Sequence, residues 1–211
     1  HKIKNLLFLG KVVRPNLLKF KNDGEIEKYI PYLINSFKEG DNRVLSSVLE
    51  IFKQRGYNIL SPGHVSSSFF FKKNELSNNT HAHVKNDIEK SVKILNTLSK
   101  YDNAQSLVII NGHIIAIEAA EGTDSMLIRA ADLRKKHFQL ENKAGLLTKI
   151  PKINQSKFVD LPVIGARTIN LVKKANLQGI AINPKFTLVH NKKRLLQLDE
   201  EQEIKIYNIK K

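Results

Sequence analysis

Leu107-Val-Ile-Ile110, Asn111-Gly112, His113-Ile-Ile-Ala-Ile117 and Glu118-Ala-Ala-Glu121-Gly122-Thr123-Asp124-Ser125-Met126-Leu127-Ile128-Arg129 follow one another without a break. Two β-rich apolar runs around an Asn-Gly pair predict a hairpin. Beyond Asp124 the spacing changes, and Met126, Leu127, Ala130, Ala131 and Leu133 fall on one helical face. The stretch therefore reads strand, strand, acidic turn, helix, which places the chain in the α/β class.

Glu118, Glu121 and Asp124 put three carboxylates within seven residues of this turn. Thr123 or Asp124 is the expected N-cap, since either side chain can accept from exposed helix N–H groups. Capping accounts for one carboxylate and leaves two. Carboxylates beside free N–H groups also suit a divalent cation that touches a phosphate. Both readings stay open on these residues alone.

Upstream, residues 5–9 are expected to form a buried strand, with Gly10 and Lys11 where a phosphate-facing loop would lie. A helical pattern starts at Asp23-Gly24 and carries Ile26, Tyr29, Ile30, Leu33 and Ile34, with Pro31 predicted to kink or break it. A clearer helix follows Gly40, with Val44, Leu45, Val48, Leu49 and Phe52 at the helical period, and it ends at Gly56. Residues 57–60 return as a short strand. Residues 61–82 are the loosest part of the chain and hold the expected domain boundary. His81 and His83 stand in that polar stretch without a third ligand. The next helix carries Val84, Ile88, Val92, Leu95 and Leu98 on one stripe, suited to packing or to a dimer contact.

Downstream, Arg134, Lys135, Lys136, Lys143, Lys149, Lys152 and Lys157 face only Glu141. Such a tract is a solvated face, or a means of steering an anionic substrate. A strand is expected over 146–150. Gln155-Ser-Lys-Phe-Val-Asp160-Leu-Pro-Val-Ile-Gly165 then sets an aspartate in a Pro-rigid turn, as a turn-former or as a positioned base or ligand. Gly165 precedes a helix, and the tail alternates strands at 179–182, 186–189 and 204–207.

At 211 residues the chain can bury a proper core as one large domain or two modest ones. Absence of Cys excludes disulfides and thiolate metal sites. No apolar run is long enough to span a bilayer, and no signal-peptide pattern is visible. The formal charge of +15 favours anionic partners, but aromatics at 7% and no Trp argue against a nucleic-acid module.

Glu118-Ala-Ala-Glu-Gly-Thr-Asp-Ser-Met-Leu-Ile-Arg129, followed by Asp160-Leu-Pro-Val-Ile-Gly165, resembles the UDP-2,3-diacylglucosamine pyrophosphatases of lipid A biosynthesis, the magnesium-dependent type unrelated to calcineurin-like phosphoesterases. Gly10-Lys-Val-Val-Arg-Pro15, Gly40-Asp41 and Gln105 are similar to that family too, so the likeness runs in order through nearly the whole chain. It implies a truncated Rossmann-like N-terminal layer over 1–73 and a mixed α/β catalytic domain over 74–211, with linker and helix at 74–103. The substrate, UDP-2,3-diacylglucosamine, would sit in a cleft between them and be hydrolysed to UMP and 2,3-diacylglucosamine 1-phosphate. Asp160 is implied as the essential acidic residue, with Asp124 and Thr123 catalytic beside it. Glu118, Glu121, Asp124 and Asp160 would hold Mg2+. Lys11, Gln105, Arg129, Lys149 and Gln155 would bind substrate. The resemblance also favours a homodimer. Lack of Cys is compatible with a cytoplasmic location, and the acyl chains with the basic excess lead to an expected peripheral contact at the inner membrane; no nucleic-acid partner is expected.

Two departures qualify those expectations. Phe158 stands where the family carries an Arg, so Lys157 would have to serve instead. The chain opens at His1 without the family's upstream Gly-rich turn, and upstream sequence is expected to be missing. Two outcomes stay open: a hydrolase impaired by truncation, or a non-catalytic fragment that binds the UDP-lipid or its acylated sugar phosphate product.

Overall fold

The computed structural model describes residues 3–10, 24, 27–38, 40–72, 75–76, 80–138, 142–153, 155–201 and 203–209. Lys11, Asp23 and Ile26 lie outside them. The chain divides into two compact units, His1–Ser66 with Gln155–Asp160, and Ser67–Asn154 with Leu161–Lys211.

In the first unit, β1 (Asn5–Leu7) pairs in parallel with β2 (Asn58–Leu60). Helices α1 (Ile30–Lys38) and α2 (Asp41–Gln54) come between them in sequence, and α3 (Pro62–Val65) follows β2. The expected buried strand over 5–9 is thus shorter and half-exposed, because β2 is its only strand partner among the described residues. A 3-10 turn over Glu27–Tyr29 gives way to α1 at Ile30, so the helical run changes type beside Pro31, which then stands in the first turn of α1, where its missing N–H is tolerated. Gly40 begins α2 at φ 109° and Gly56 follows it at φ 84°, conformations that glycine adopts without steric cost. Leu49 and Ile59 form the core with Val159, joined by Leu6, Phe8, Leu45, Phe52, Tyr57 and Phe158.

A five-stranded mixed sheet organises the second unit. It consists of β3 (Ser106–Ile110), β4 (His113–Ile117), β5 (Leu146–Lys149), β7 (Gly179–Ile182) and β9 (Lys205–Asn208), in the order β4-β3-β5-β7-β9. The hairpin forms at Asn111-Gly112, whose φ values of 47° and 81° suit a two-residue turn. β3 runs antiparallel to β4 and β5, while β5, β7 and β9 are parallel. A small second ladder joins β6 (Val163–Ile164) to β8 (Leu188–Val189).

Alternation along each strand sends neighbouring side chains to opposite faces. Leu107, Ile109, Leu146, Ala181 and Tyr207 pack toward α4 (Ala82–Ser99), together with its Val84 and Leu95. The α4 stripe is therefore used at least in part within the chain. Val108, Ile110, Leu147, Ile180, Ile182 and Ile206 face α5 (Gly122–His137), α6 (Ala166–Lys174) and α7 (Lys192–Glu200). Gly145 admits the chain into β5 at φ +74°, where an added Cβ would stand 2.3 Å from the Ile109 carbonyl oxygen.

Candidate active site

Register fixes one rim of the sheet. Lys149 ends β5 opposite Ser106, which begins β3, and pairs on its other side with Ile182 at the end of β7. Glu118 lies just past β4, with its N–H donating to the Ser106 carbonyl at 3.0 Å. The carboxyl ends of the parallel strands and the start of α5 meet here, the usual position for ligands on such sheets.

Four side chains make the centre of this rim. Lys149 Nζ donates to Thr123 Oγ1 at 2.6 Å, although the lysine is only 8% exposed. Ser106 Oγ donates to Glu118 Oε2 at 2.5 Å and lies 3.9 Å from Met126 Sδ. Ser106 and Lys149 are cross-strand neighbours, so an ammonium and a hydroxyl-bound carboxylate stand side by side. The expectation that Thr123 or Asp124 caps α5 is not met, because the N-cap is Glu121 and no side chain caps the helix. Thr123 and Asp124 occupy the first turn instead, one accepting from Lys149 and the other paired with Arg167 Nε at 2.9 Å.

Glu121 clamps the turn. One oxygen accepts from Ala119 N–H at 3.1 Å and the other from Arg129 Nη2 at 2.5 Å. The Arg129 hydrogen bond, ahead of the Ala119 one, holds the Glu121 carboxyl below the usual range. Arg129 Nη2 also donates to the Ile117 carbonyl at 2.9 Å. Gln105 takes part through its main chain, its carbonyl accepting from Ile150 N–H at 2.9 Å.

Asp160 and Gln155 belong to the first unit. Asp160 is exposed and sits at φ 54°, a left-handed conformation that Asp tolerates better than most residues. Val159 before it is buried at 5% exposure, and Leu161 and Pro162 after it are buried too, so the turn is anchored on both sides. Gln155 Nε2 donates to the Asp160 carbonyl and lies 3.4 Å from Oδ2. The ring of Phe158, where an Arg was expected, lies 5.3 Å under the Lys53 ammonium.

Among the described residues no group of three or more His, Asp or Glu side chains gathers into a cation cage. As placed, Glu118, Glu121 and Asp124 each face a different donor. Magnesium, however, is commonly held by one or two carboxylates together with substrate phosphate oxygens. Asp124, 36% exposed on a helix first turn, fits that limited donation. Ser106 and Arg167 were missed in the sequence. Only strand register and the meeting of α5 with α6 bring them to the motif.

Residues 73–207 match the LpxI C-terminal domain and residues 1–69 the LpxI N-terminal domain. The UDP-2,3-diacylglucosamine pyrophosphatase LpxI of Caulobacter vibrioides is 34% identical over 197 residues, covering 92% of this chain and 67% of that protein. Acidic turn, buried lysine and aspartate turn thus stand on a chain matched along nearly its whole length, and the chain belongs to the LpxI family of UDP-2,3-diacylglucosamine pyrophosphatases.

Proposed function

We propose that this chain is a hydrolase of lipid A biosynthesis that cleaves the diphosphate of UDP-2,3-diacylglucosamine, giving UMP and 2,3-diacylglucosamine 1-phosphate. The observation that carries the reading is the Lys149–Thr123 bond beside Ser106–Glu118, at the sheet rim where α5 begins. A buried ammonium held at a fixed point is suited to charge that builds on phosphate oxygens. Thr123 holds that ammonium on the helix start, and its hydroxyl hydrogen is left to donate to a phosphate oxygen.

The site residues are assigned the following roles in this reading. Arg129 and Lys149 offset diphosphate charge, while Gln105, Gln155 and Lys11 contact substrate. Asp160, presented by an anchored turn, is the essential acidic residue, and it orients the attacking water and takes up its proton. Asp124 is the proposed first ligand of Mg2+, with Glu118, Glu121 and Asp160 as further ligands. Glu121 would leave Arg129 to serve, and Glu118 would keep or share Ser106. When bound, Mg2+ offsets the repulsion between these carboxylates and the diphosphate and polarises the phosphorus. Residues 1–73 and 74–211 are proposed as the two domains, and a homodimer as the assembly.

Incubation with Mg2+ and UDP-2,3-diacylglucosamine tests the reading directly. Release of UMP that Asp160→Asn abolishes supports it. An acylated sugar phosphate that copurifies without any turnover supports the binding-only fragment instead.

A further inference from the structure

We propose that a two-loop tip carrying Tyr101 and Ile153 docks this chain on an anionic lipid bilayer surface. The choice of partner rests on the reading above, in which the substrate carries acyl chains. Tyr101 is 80% exposed and Ile153 is 56% exposed. Single exposed apolar residues are ordinary, but these two project from adjoining loops that are tied together. Ile153 N–H donates to Ser99 Oγ at 2.6 Å. Lys152 Nζ donates to the Asp102 carbonyl at 2.7 Å and to its Oδ1 at 2.8 Å. These bonds hold the two exposed residues on one surface.

Position and charge point to the same partner. The tip loops are the direct continuations of the strand ends that carry Lys149 and Ser106, so the tip and the site share one end of the sheet. Lys152 neutralises Asp102, Lys100 beside Tyr101 is exposed, and the chain as a whole carries +15. A tyrosine settles at the headgroup level while an isoleucine enters the acyl boundary, and lysines add attraction to anionic lipid. No helix among the described residues is long and apolar enough to cross a membrane.

The test is sedimentation of the full chain with vesicles of phosphatidylglycerol and phosphatidylethanolamine. The double variant Tyr101→Ser, Ile153→Ser is expected to lower partitioning about tenfold or more, and to turn over detergent-dispersed substrate like the wild type. Because the chain has no Trp, Tyr101→Trp supplies a single reporter whose emission should shift to the blue on anionic vesicles. Equal partitioning of wild type and double variant, or an unshifted reporter, overturns the proposal. So does a dimer that the tip substitutions dissociate, since a second copy would then cover the tip. Tip-dependent vesicle binding without turnover of dispersed substrate leaves the docking in place and removes the hydrolase reading.

Discussion

Lys149 at the end of β5 and Thr123 in the first turn of α5 are joined by a bond of 2.6 Å, which ties the middle of the sheet to the acidic turn. A lysine this buried keeps its charge only where partners compensate the lost water. Replacing it by Met retains the volume and removes the ammonium. Lys149→Met is expected to lower kcat for UMP release about 10²–10³-fold, while thermal melting stays at or above that of the wild type. Steady-state kinetics and a melting curve on the same sample check both halves.

Ser106 donates to Glu118 from a fully buried position. Ser106→Ala removes the donor and leaves that carboxylate oxygen to rotate toward water. Unfolding in urea should show a loss of about 1 kcal/mol. If Glu118 serves the cation, the Mg2+ concentration for half-maximal activity should also shift. A change in stability with unchanged Mg2+ dependence would make Glu118 a structural partner of β3 only.

Local signals were legible in the sequence, and meetings between distant residues were not. Asn111-Gly112 encodes its hairpin in two residues, and Gly40 and Gly56 bracket α2 by backbone conformation alone. Helix α7 escaped notice because Lys192, Lys193 and Arg194 open a nine-residue segment between strand-like runs. Its start depends on Asn191 at φ 60°, whose side chain accepts from Arg194 N–H. Pro31 likewise marks the change from the 3-10 turn at Glu27–Tyr29 to α1. Glu118, Glu121 and Asp124 look like one set in the sequence. In the fold they are divided among Ser106, Arg129 and Arg167, and no spacing rule announces Arg167.

Acid should weaken the second unit through Glu75. Its carboxylate accepts from Lys72 N–H at 2.7 Å and from Lys192 Nζ at 3.0 Å. The backbone bond from Lys72 is the largest cause of a pKa below the usual carboxylate range, with Lys192 adding to it. A depressed carboxylate stabilises the fold fully above its unfolded value, about 4.3 for Glu, and loses that contribution as pH falls through the folded value. Glu75→Gln keeps an acceptor for Lys72 but cannot titrate. Melting temperatures measured from pH 6 downward should fall more steeply for the wild type than for Glu75→Gln below about pH 4.3. Parallel curves would remove Glu75 from the acid response.

Asp160 offers a separation of stability from chemistry, because its backbone and its carboxylate make different demands. At φ 54° a β-carbon is strained, and glycine is the residue that relieves it. Asp160→Gly should therefore melt at or above the wild type, and Asp160→Ala should be about 1 kcal/mol less stable than Asp160→Gly. Asp160→Asn keeps both the shape and the tolerance for this conformation. It should fold as the wild type does and still lose UMP release about 10³-fold, the scale expected when a positioned acid–base group is removed. Loss of activity in all three variants, against a stability order set by the backbone, would mark the carboxylate as the working group. Full turnover by Asp160→Asn would return this aspartate to the role of a turn-former, in the bend between Val159 and Leu161 beside Gln155.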